Sequence, residues 1–247
     1  MQRLIQERAS LPKHAEPVVI GAQRRRKNAH LLEQALTAFG LAFGLSLIFY
    51  ALDWHNAMRF AAGKPFWNIG YAWEASIPFR PGWIWVYLAY FPFCCLPLLL
   101  KEVRRDIAIF RRLAAGLGGQ FLFAVGIFLI LPIRMEQPAL APNTLSESAV
   151  AFVFQVDPGF NIFPSLHVTN AVFVACVIQR LKGRIAGIPA WIVCCLISAS
   201  TLFVKQHYAL DLAAGFLLGA LAYRLSFPQA QFGVAPHLGR PYITPRL

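Results

Sequence analysis

Long apolar runs separated by short polar or basic stretches dominate the sequence. Six runs approach or reach the roughly 17–25 residues that a helix needs to cross a bilayer. Together they predict an all-α membrane protein whose six transmembrane helices form one bundle, residues 31–226. Residues 1–30 are expected to form a loosely ordered basic cytoplasmic arm, and residues 227–247 a cytoplasmic tail. The predicted spans are 31–52, 82–100, 113–133, 164–181, 186–204 and 208–226.

The composition supports a membrane location. Hydrophobic residues make up 57% of the 247 positions and charged residues only 14%, and the mean hydropathy is +0.53. A soluble domain of this length has no core large enough for so much apolar surface.

The formal net charge of +12 raises the question of a nucleic-acid partner, but its distribution argues against one. If the N-terminus is cytoplasmic, 18 of the 23 basic residues fall on the cytoplasmic side of the predicted spans. That asymmetry follows the positive-inside rule. We therefore expect an integral protein of the plasma or inner membrane with both termini cytoplasmic.

Residues 53–81, predicted to lie outside the membrane, are rich in aromatic side chains and contain Pro65 and Pro78. This composition is typical of a segment that lies along the bilayer surface. An aromatic belt is the favoured interpretation, and a lid or a rim for lipid entry is the alternative.

Ionisable residues lie at the beginning of the fourth and the sixth apolar runs. His207 and Asp211 are four residues apart and share a face if the helix of the sixth run begins near them. A carboxylate so placed can accept the imidazole N–H and fix the tautomer of the ring. A second histidine, His167, opens the fourth run. Such residues at membrane depth are costly and tend to be functional.

Three further residues are predicted on the same extracytoplasmic side: Arg134, Ser165 and Lys205. Ser165 lies where a helix would begin, and a helix N-terminus binds phosphate through its free N–H groups and its dipole. Two cations beside such a terminus would stabilise the charge of a phosphoryl-transfer transition state. The predicted catalytic residues are His207, His167 and Asp211, and the predicted phosphate ligands are Arg134, Ser165 and Lys205.

An oriented imidazole could attack phosphorus, while a second imidazole protonates the leaving oxygen and then deprotonates the acceptor. A zinc site formed by His167, His207 and Asp211 is the competing interpretation. Arg134 and Lys205 would repel a metal ion, so neither a metal nor another cofactor is predicted.

Two stretches resemble signatures of the type 2 phosphatidic acid phosphatase superfamily: Pro164-Ser165-Leu166-His167 and the run from Ser200 to Asp211. The superfamily has a six-helix membrane core and includes lipid phosphatases and lipid phosphotransferases. The resemblance implies His207 as nucleophile, Asp211 as its orienting carboxylate, His167 as general acid and base, and Ser165 as a phosphate contact.

The chain departs from the phosphatase pattern at several positions. Leu166 and Thr201 stand where glycine and arginine are usual, and the first signature, a lysine followed after a fixed spacing by Arg-Pro, is missing. Arg134 is followed by Met135, and Lys205 is a candidate for the lost cation. The Ser-Leu-His and His-Tyr-x-x-Asp patterns resemble the inositol phosphorylceramide synthase branch.

We therefore expect a membrane enzyme that transfers the phosphoryl or phospho-head-group of a lipid phosphate ester through a phosphohistidine, with a lean to lipid phosphotransfer. A lipid phosphatase that releases phosphate to water is the alternative. A non-catalytic phospholipid-binding or transport protein is a further one. The lipid, the acceptor and the oligomeric state do not follow from the sequence.

Overall fold

A computed structural model describes the backbone of residues 16–228 and the side chains of residues 29–228. This range contains no β-strand, only an isolated bridge between Trp67 and Ile133, so the all-α prediction is confirmed. The helices are α1 (Glu16–Ala61), α2 (Ile84–Leu88), α3 (Tyr90–Leu99), α4 (Lys101–Arg105), α5 (Ile107–Ile130), α6 (Leu145–Val156), α7 (Leu166–Lys182), α8 (Arg184–Phe203) and α9 (Ala209–Ser226), with 3-10 turns at Ala72–Ser76 and Pro81–Trp83.

The helices include several that are long and apolar enough to cross a membrane, which establishes an integral membrane bundle. The fourth predicted span, 164–181, corresponds to α7, which has 17 residues and lies at the lower limit for a span. The number of six therefore stays a prediction. The five candidate spans in the described residues are Ala29–Ala61, Pro81–Leu99, Ile107–Ile130, Arg184–Phe203 and Ala209–Ser226.

The first helix is longer than the predicted span at both ends. It begins at Glu16, so residues 16–30 are helical, and it continues through residues 53–61, which were expected in the interfacial segment. The helix ends in a Schellman motif in which Lys64 N–H donates to the Arg59 carbonyl, with Gly63 at φ 68°. Glycine suits this left-handed position. Residues 1–15 and 229–247 lie outside the described range.

Polar side chains near the end of α1 explain why its sequence resembles a loop. The Asp53 Oδ1 atom accepts a hydrogen bond from Asn161 Nδ2 at 2.6 Å, and Asn56 Nδ2 donates to Asn161 Oδ1 at 3.0 Å. These positions on one helix face are buried, and their partners come from the loop that leads into α7. Local hydropathy cannot predict that these polar residues are helical and buried, because their partner Asn161 lies more than 100 positions away in the chain.

The second predicted span, 82–100, is interrupted. A 3-10 turn at Pro81–Trp83 leads into α2, and α2 and α3 meet at Ala89. By contrast, α5 starts six residues before its predicted beginning, because Asp106 accepts N–H groups of Ala108 and Ile109 at 2.8 and 3.3 Å as the N-cap.

Helix α7 lies at the centre of the bundle and packs against α8 and α9. Residues 171–175 of α7 are fully buried. Two glycines permit the contact with α9: a Cβ at Gly215 would lie 2.7 Å from the Ser165 carbonyl oxygen, and a Cβ at Gly219 would collide with the Thr169 carbonyl oxygen. Small residues let helix backbones approach closely in a membrane, and here they serve packing within one chain.

We predict that Gly219→Ala destabilises the bundle by about 1–3 kcal/mol, the usual cost of overpacking a tight contact. The added methyl meets backbone of α7, which cannot rotate away. Thermal unfolding of the purified protein in detergent measures the effect. Gly126→Ala on α5 is the matched control, since nothing lies within 4 Å of its added methyl; an equal loss in both variants would contradict the prediction.

Candidate active site

His207 and Asp211 meet at the turn between α8 and α9. The Thr201 carbonyl accepts the N–H groups of Gln206 and His207 at 2.9 and 3.3 Å, and Lys205 adopts a left-handed φ of 56°. His207 Nδ1 lies 3.3 Å from Asp211 Oδ2. Because an ionised carboxylate only accepts, this contact favours the tautomer of a neutral ring in which Nδ1 carries the proton and Nε2 presents a lone pair.

The contact differs in geometry from the one predicted. His207 precedes α9, so the two residues do not share a helix face. Asp211 is the third helical residue and reaches back to the turn, where its Oδ2 atom also accepts the Tyr208 N–H at 2.8 Å. This bond from the third helical residue back to the N-cap N–H is one half of a capping box. Asp211 is fully buried and His207 is 5% exposed.

His167 lies at the start of α7, after the N-cap Ser165. Its ring is held between those of Tyr87 and Tyr90, with centroid distances of 4.4 Å to each. The His167 and His207 centroids are 5.7 Å apart, and the buried His167 Nε2 has no hydrogen-bond partner among the described residues. The structure therefore brings the two imidazoles together on one side of the bundle.

A backbone hydrogen bond joins the two histidine segments. The N–H of Ser165 donates to the carbonyl of Asp211 at 3.1 Å. Ser165 is fully buried, and its Oγ accepts the Val168 N–H at 3.4 Å. The N–H groups of Leu166 and His167 have no helical carbonyl to bond, as in the first turn of any helix.

The two predicted phosphate cations make other contacts. The Arg134 guanidinium carbon lies 4.0 Å from the centroid of the Phe60 ring and 5.5 Å from that of Phe160, which are cation–π geometries. Lys205 Nζ donates to the carbonyls of Ile77 and Glu74 at 2.7 and 3.3 Å. Burial lowers the pKa of Lys205, an effect that the nearby Glu74 carboxylate opposes.

A cavity of about 500 Å³ opens beside the site. His207, Lys205 and Tyr208 form one wall, and residues of the 68–79 stretch form another. Polar lining groups include Glu136 and Gln137. Arg134 and His167 are not among the lining residues, whereas Met135, the residue after Arg134, is.

Sequence reasoning missed the residues that support His167. Asn170 Nδ2 donates to the Tyr90 hydroxyl at 2.6 Å, and Gln120 Nε2 donates to Asn170 Oδ1 at 2.5 Å. This chain of hydrogen bonds fixes one of the two rings that enclose His167. The available signal was the occurrence of Asn170 and Gln120 inside apolar runs, where polar side chains need partners.

Sequence reasoning also missed Glu74, which is 7% exposed. Its carboxylate accepts the N–H of Ala209, the first residue of α9. The residue lies in a short 3-10 turn of a stretch interpreted as an aromatic belt. A single acidic residue among aromatic ones carries no local signal for a partner 135 positions away.

A match to the PAP2 superfamily covers residues 83–225, which is more than half of the chain. The chain belongs to the PAP2 superfamily. No curated protein and no solved structure gives a significant match. The match contains every predicted site residue but neither α1 nor the segment 62–80.

Membership identifies the chain as a membrane enzyme of the lipid phosphatase type that acts on phosphate esters. The match begins at residue 83, so the family relationship also includes α2 and α3, which supply Tyr87 and Tyr90.

We predict that Asp211→Asn lowers phosphate-ester turnover by roughly 10³-fold or more, by analogy with other oriented histidines. One oxygen, Oδ2, contacts both His207 Nδ1 and the Tyr208 N–H. An amide that keeps its oxygen there lacks the negative charge that stabilises the imidazolium, and an amide that turns its NH₂ there loses the Tyr208 bond and favours the wrong tautomer. Steady-state kinetics on a labelled lipid phosphate in detergent micelles measures the loss.

Asp106→Asn is the matched control, because Asp106 also accepts helix N–H groups but has no histidine partner among the described residues. Its turnover should equal that of the wild type. Full activity in Asp211→Asn would contradict the proposed orientation of His207.

Proposed function

We propose that the protein transfers a phosphoryl or phospho-head-group from a membrane lipid phosphate ester to an acceptor through a phosphohistidine on His207. The observation that carries this proposal is the pair of imidazoles with ring centroids 5.7 Å apart, one of them oriented by a buried carboxylate. Asp211, His167 and Ser165 have the roles that the family resemblance implies.

In the first step, His207 Nε2 attacks phosphorus, an N–P bond forms, and the bond to the leaving oxygen breaks. Asp211 stabilises the positive charge that develops on the imidazole. His167 protonates the leaving oxygen, so the departing group leaves as a neutral alcohol. The energetic benefit is the division of one difficult displacement into two easier ones.

In the second step, His167 removes a proton from the acceptor, whose oxygen attacks phosphorus while the N–P bond breaks. This restores both histidines. Negative charge on the transferred group would be stabilised by the first N–H groups and the dipole of α7 and by the Ser165 hydroxyl. Arg134 and Lys205 remain proposed phosphate ligands, and each would exchange its aromatic or carbonyl contacts for phosphate oxygens.

The identity of the acceptor separates the two enzymatic candidates. The resemblance to the inositol phosphorylceramide synthase branch favours an alcohol, and the cavity of about 500 Å³ beside His207 supports this by offering room for more than water. Release of phosphate to water, as in a lipid phosphatase, is the alternative. Both reactions use the same histidines.

We place the site on the extracytoplasmic side and both termini in the cytoplasm. The opposite end of the bundle carries a concentration of basic residues in α4 and at the end of α7. A positive-inside arrangement orients that end toward the cytoplasm. The setting is the plasma or inner membrane.

Replacement of His207 by alanine should abolish turnover and covalent labelling by a lipid that carries ³²P in its phosphate. His167→Ala should retain labelling at a reduced rate and accumulate the acid-labile adduct, because the general base of the second step is missing. Quenched reactions analysed on gels measure the label. Labelled His207→Ala protein would remove the nucleophile assignment.

A mixed lipid extract, offered with and without candidate alcohols and analysed by mass spectrometry, identifies the acceptor. We expect a new phosphodiester lipid that depends on the added alcohol; free phosphate instead would indicate a phosphatase. Lipid binding without any product would support a non-catalytic protein.

Vanadate, which mimics pentacoordinate phosphorus, should inhibit the reaction, and a metal chelator should not. Inhibition by the chelator with recovery on added zinc would instead favour the zinc alternative, in which His167, His207 and Asp211 are ligands.

A further inference from the structure

The carboxylate of Glu74 lies beside the His207 turn although the residue belongs to a segment outside the family match. It is 7% exposed, and buried acidic residues occur almost only where partners stabilise them. Its Oε2 atom accepts the N–H of Tyr71 at 2.5 Å and its Oε1 atom accepts the N–H of Ala209 at 2.5 Å. Both carboxylate oxygens are therefore used by backbone donors.

The position of Ala209 gives the second contact its importance. Ala209 is the first residue of α9, two positions after His207 and two positions before Asp211. Its N–H is one of the helix N-terminal donors that no helical carbonyl can satisfy. A hydrogen bond to an ionised carboxylate is stronger than one between neutral groups, so Glu74 holds the backbone between the two members of the His207–Asp211 pair.

Further hydrogen bonds join the same two stretches. Lys205 Nζ donates to the carbonyls of Glu74 and Ile77, and Arg80 N–H donates to the Phe203 carbonyl at 2.9 Å. These contacts lie on the N-terminal side of His207, whereas Ala209 lies on its C-terminal side. The turn that carries His207 is thus connected to the 62–80 segment on both sides.

We infer that Glu74 is a positioning residue for His207 and that the 62–80 segment is part of the active-site framework. This inference rests on the proposed function. Glu74 does not itself take part in the phosphate chemistry; it acts by fixing the distance and angle at which His207 Nε2 meets phosphorus. Misplacement of a reacting group by about 1 Å can cost on the order of 10²-fold in rate.

The test perturbs the Glu74–Ala209 hydrogen bond in two variants, one that changes the acceptor and one that removes the donor. Glu74→Gln weakens the acceptor. Ala209→Pro deletes the donor at the first helical position, where proline is tolerated. Tyr208 has φ −89° and ψ 159°, which suits a residue before proline. Each variant should lower kcat by roughly 10- to 100-fold with KM unchanged.

Glu147→Gln provides the matched control. The Glu147 carboxylate also accepts two backbone N–H groups, those of Asn143 and Thr144, at the start of α6. No contact joins it to His207, so its loss should leave kcat unchanged. A general loss of fold in Glu74→Gln would lower its thermal midpoint far below that of Glu147→Gln, and Ala209→Pro then carries the test.

A double variant, Glu74→Gln with Ala209→Pro, separates positioning from independent damage. Both single changes act on the same Glu74–Ala209 hydrogen bond, so the combined loss in kcat should be close to that of the larger single loss rather than the product of the two. Wild-type kcat in both single variants, or fully multiplicative losses, would overturn the inference.

A second readout does not depend on turnover. The rate at which diethyl pyrocarbonate modifies His207, followed by peptide mass spectrometry across pH, reports the environment of the ring. Glu74→Gln should shift this profile and Glu147→Gln should not. A shifted profile in a protein without turnover would retain the positioning role while the proposed function fails; unchanged profiles and unchanged kcat reject the positioning role alone.

Discussion

The close approach of α7 and α9 is the constraint on which the site depends. Glycines at positions 215 and 219 let the backbone of α9 lie against the first turns of α7, where any side chain would meet a carbonyl oxygen. At that contact the Ser165 N–H donates to the Asp211 carbonyl. Two motifs about forty residues apart in the chain are joined through main-chain atoms, so the relative position of the two histidines is set by backbone packing.

Polar groups inside the bundle are arranged in partnered sets around this contact. One set links Gln120, Asn170 and Tyr90 behind His167. Another links Asp53, Asn56 and Asn161 at the loop before α7. Hydrogen bonding offsets the cost of burying such groups. Among the buried atoms without a partner in the described chain is His167 Nε2, and an unsatisfied nitrogen at this position suits a group that exchanges protons with a substrate.

The residues that contact the His207 turn extend beyond the range of the family match. The match begins at residue 83, whereas contacts to the His207 turn come from residues 74, 77 and 80. The interpretation of this stretch as an aromatic belt accounts for its tryptophans but not for its hydrogen bonds. Loops positioned by a rigid scaffold often carry function, and here the segment outside the match forms a wall of the cavity beside His207.

Local patterns in the sequence determined the helical class, most helix positions and the His207–Asp211 pairing. Apolar runs specify helices because every backbone polar group must be satisfied inside a membrane, and the carboxylate of Asp211 lies within reach of His207, only four residues before it in the chain. The tertiary structure alone decided the rest. Arg134 packs on Phe60, and Lys205 bonds to carbonyls of the 62–80 segment. The sequence did not predict these contacts, and the role of both residues as phosphate ligands stays a prediction. The tertiary structure also brings Tyr87 and Tyr90 to His167, and Glu74 to Ala209. These partners are 77 to 135 positions apart in the chain. Such contacts depend on how the helices pack and not on the spacing of residues within one apolar run.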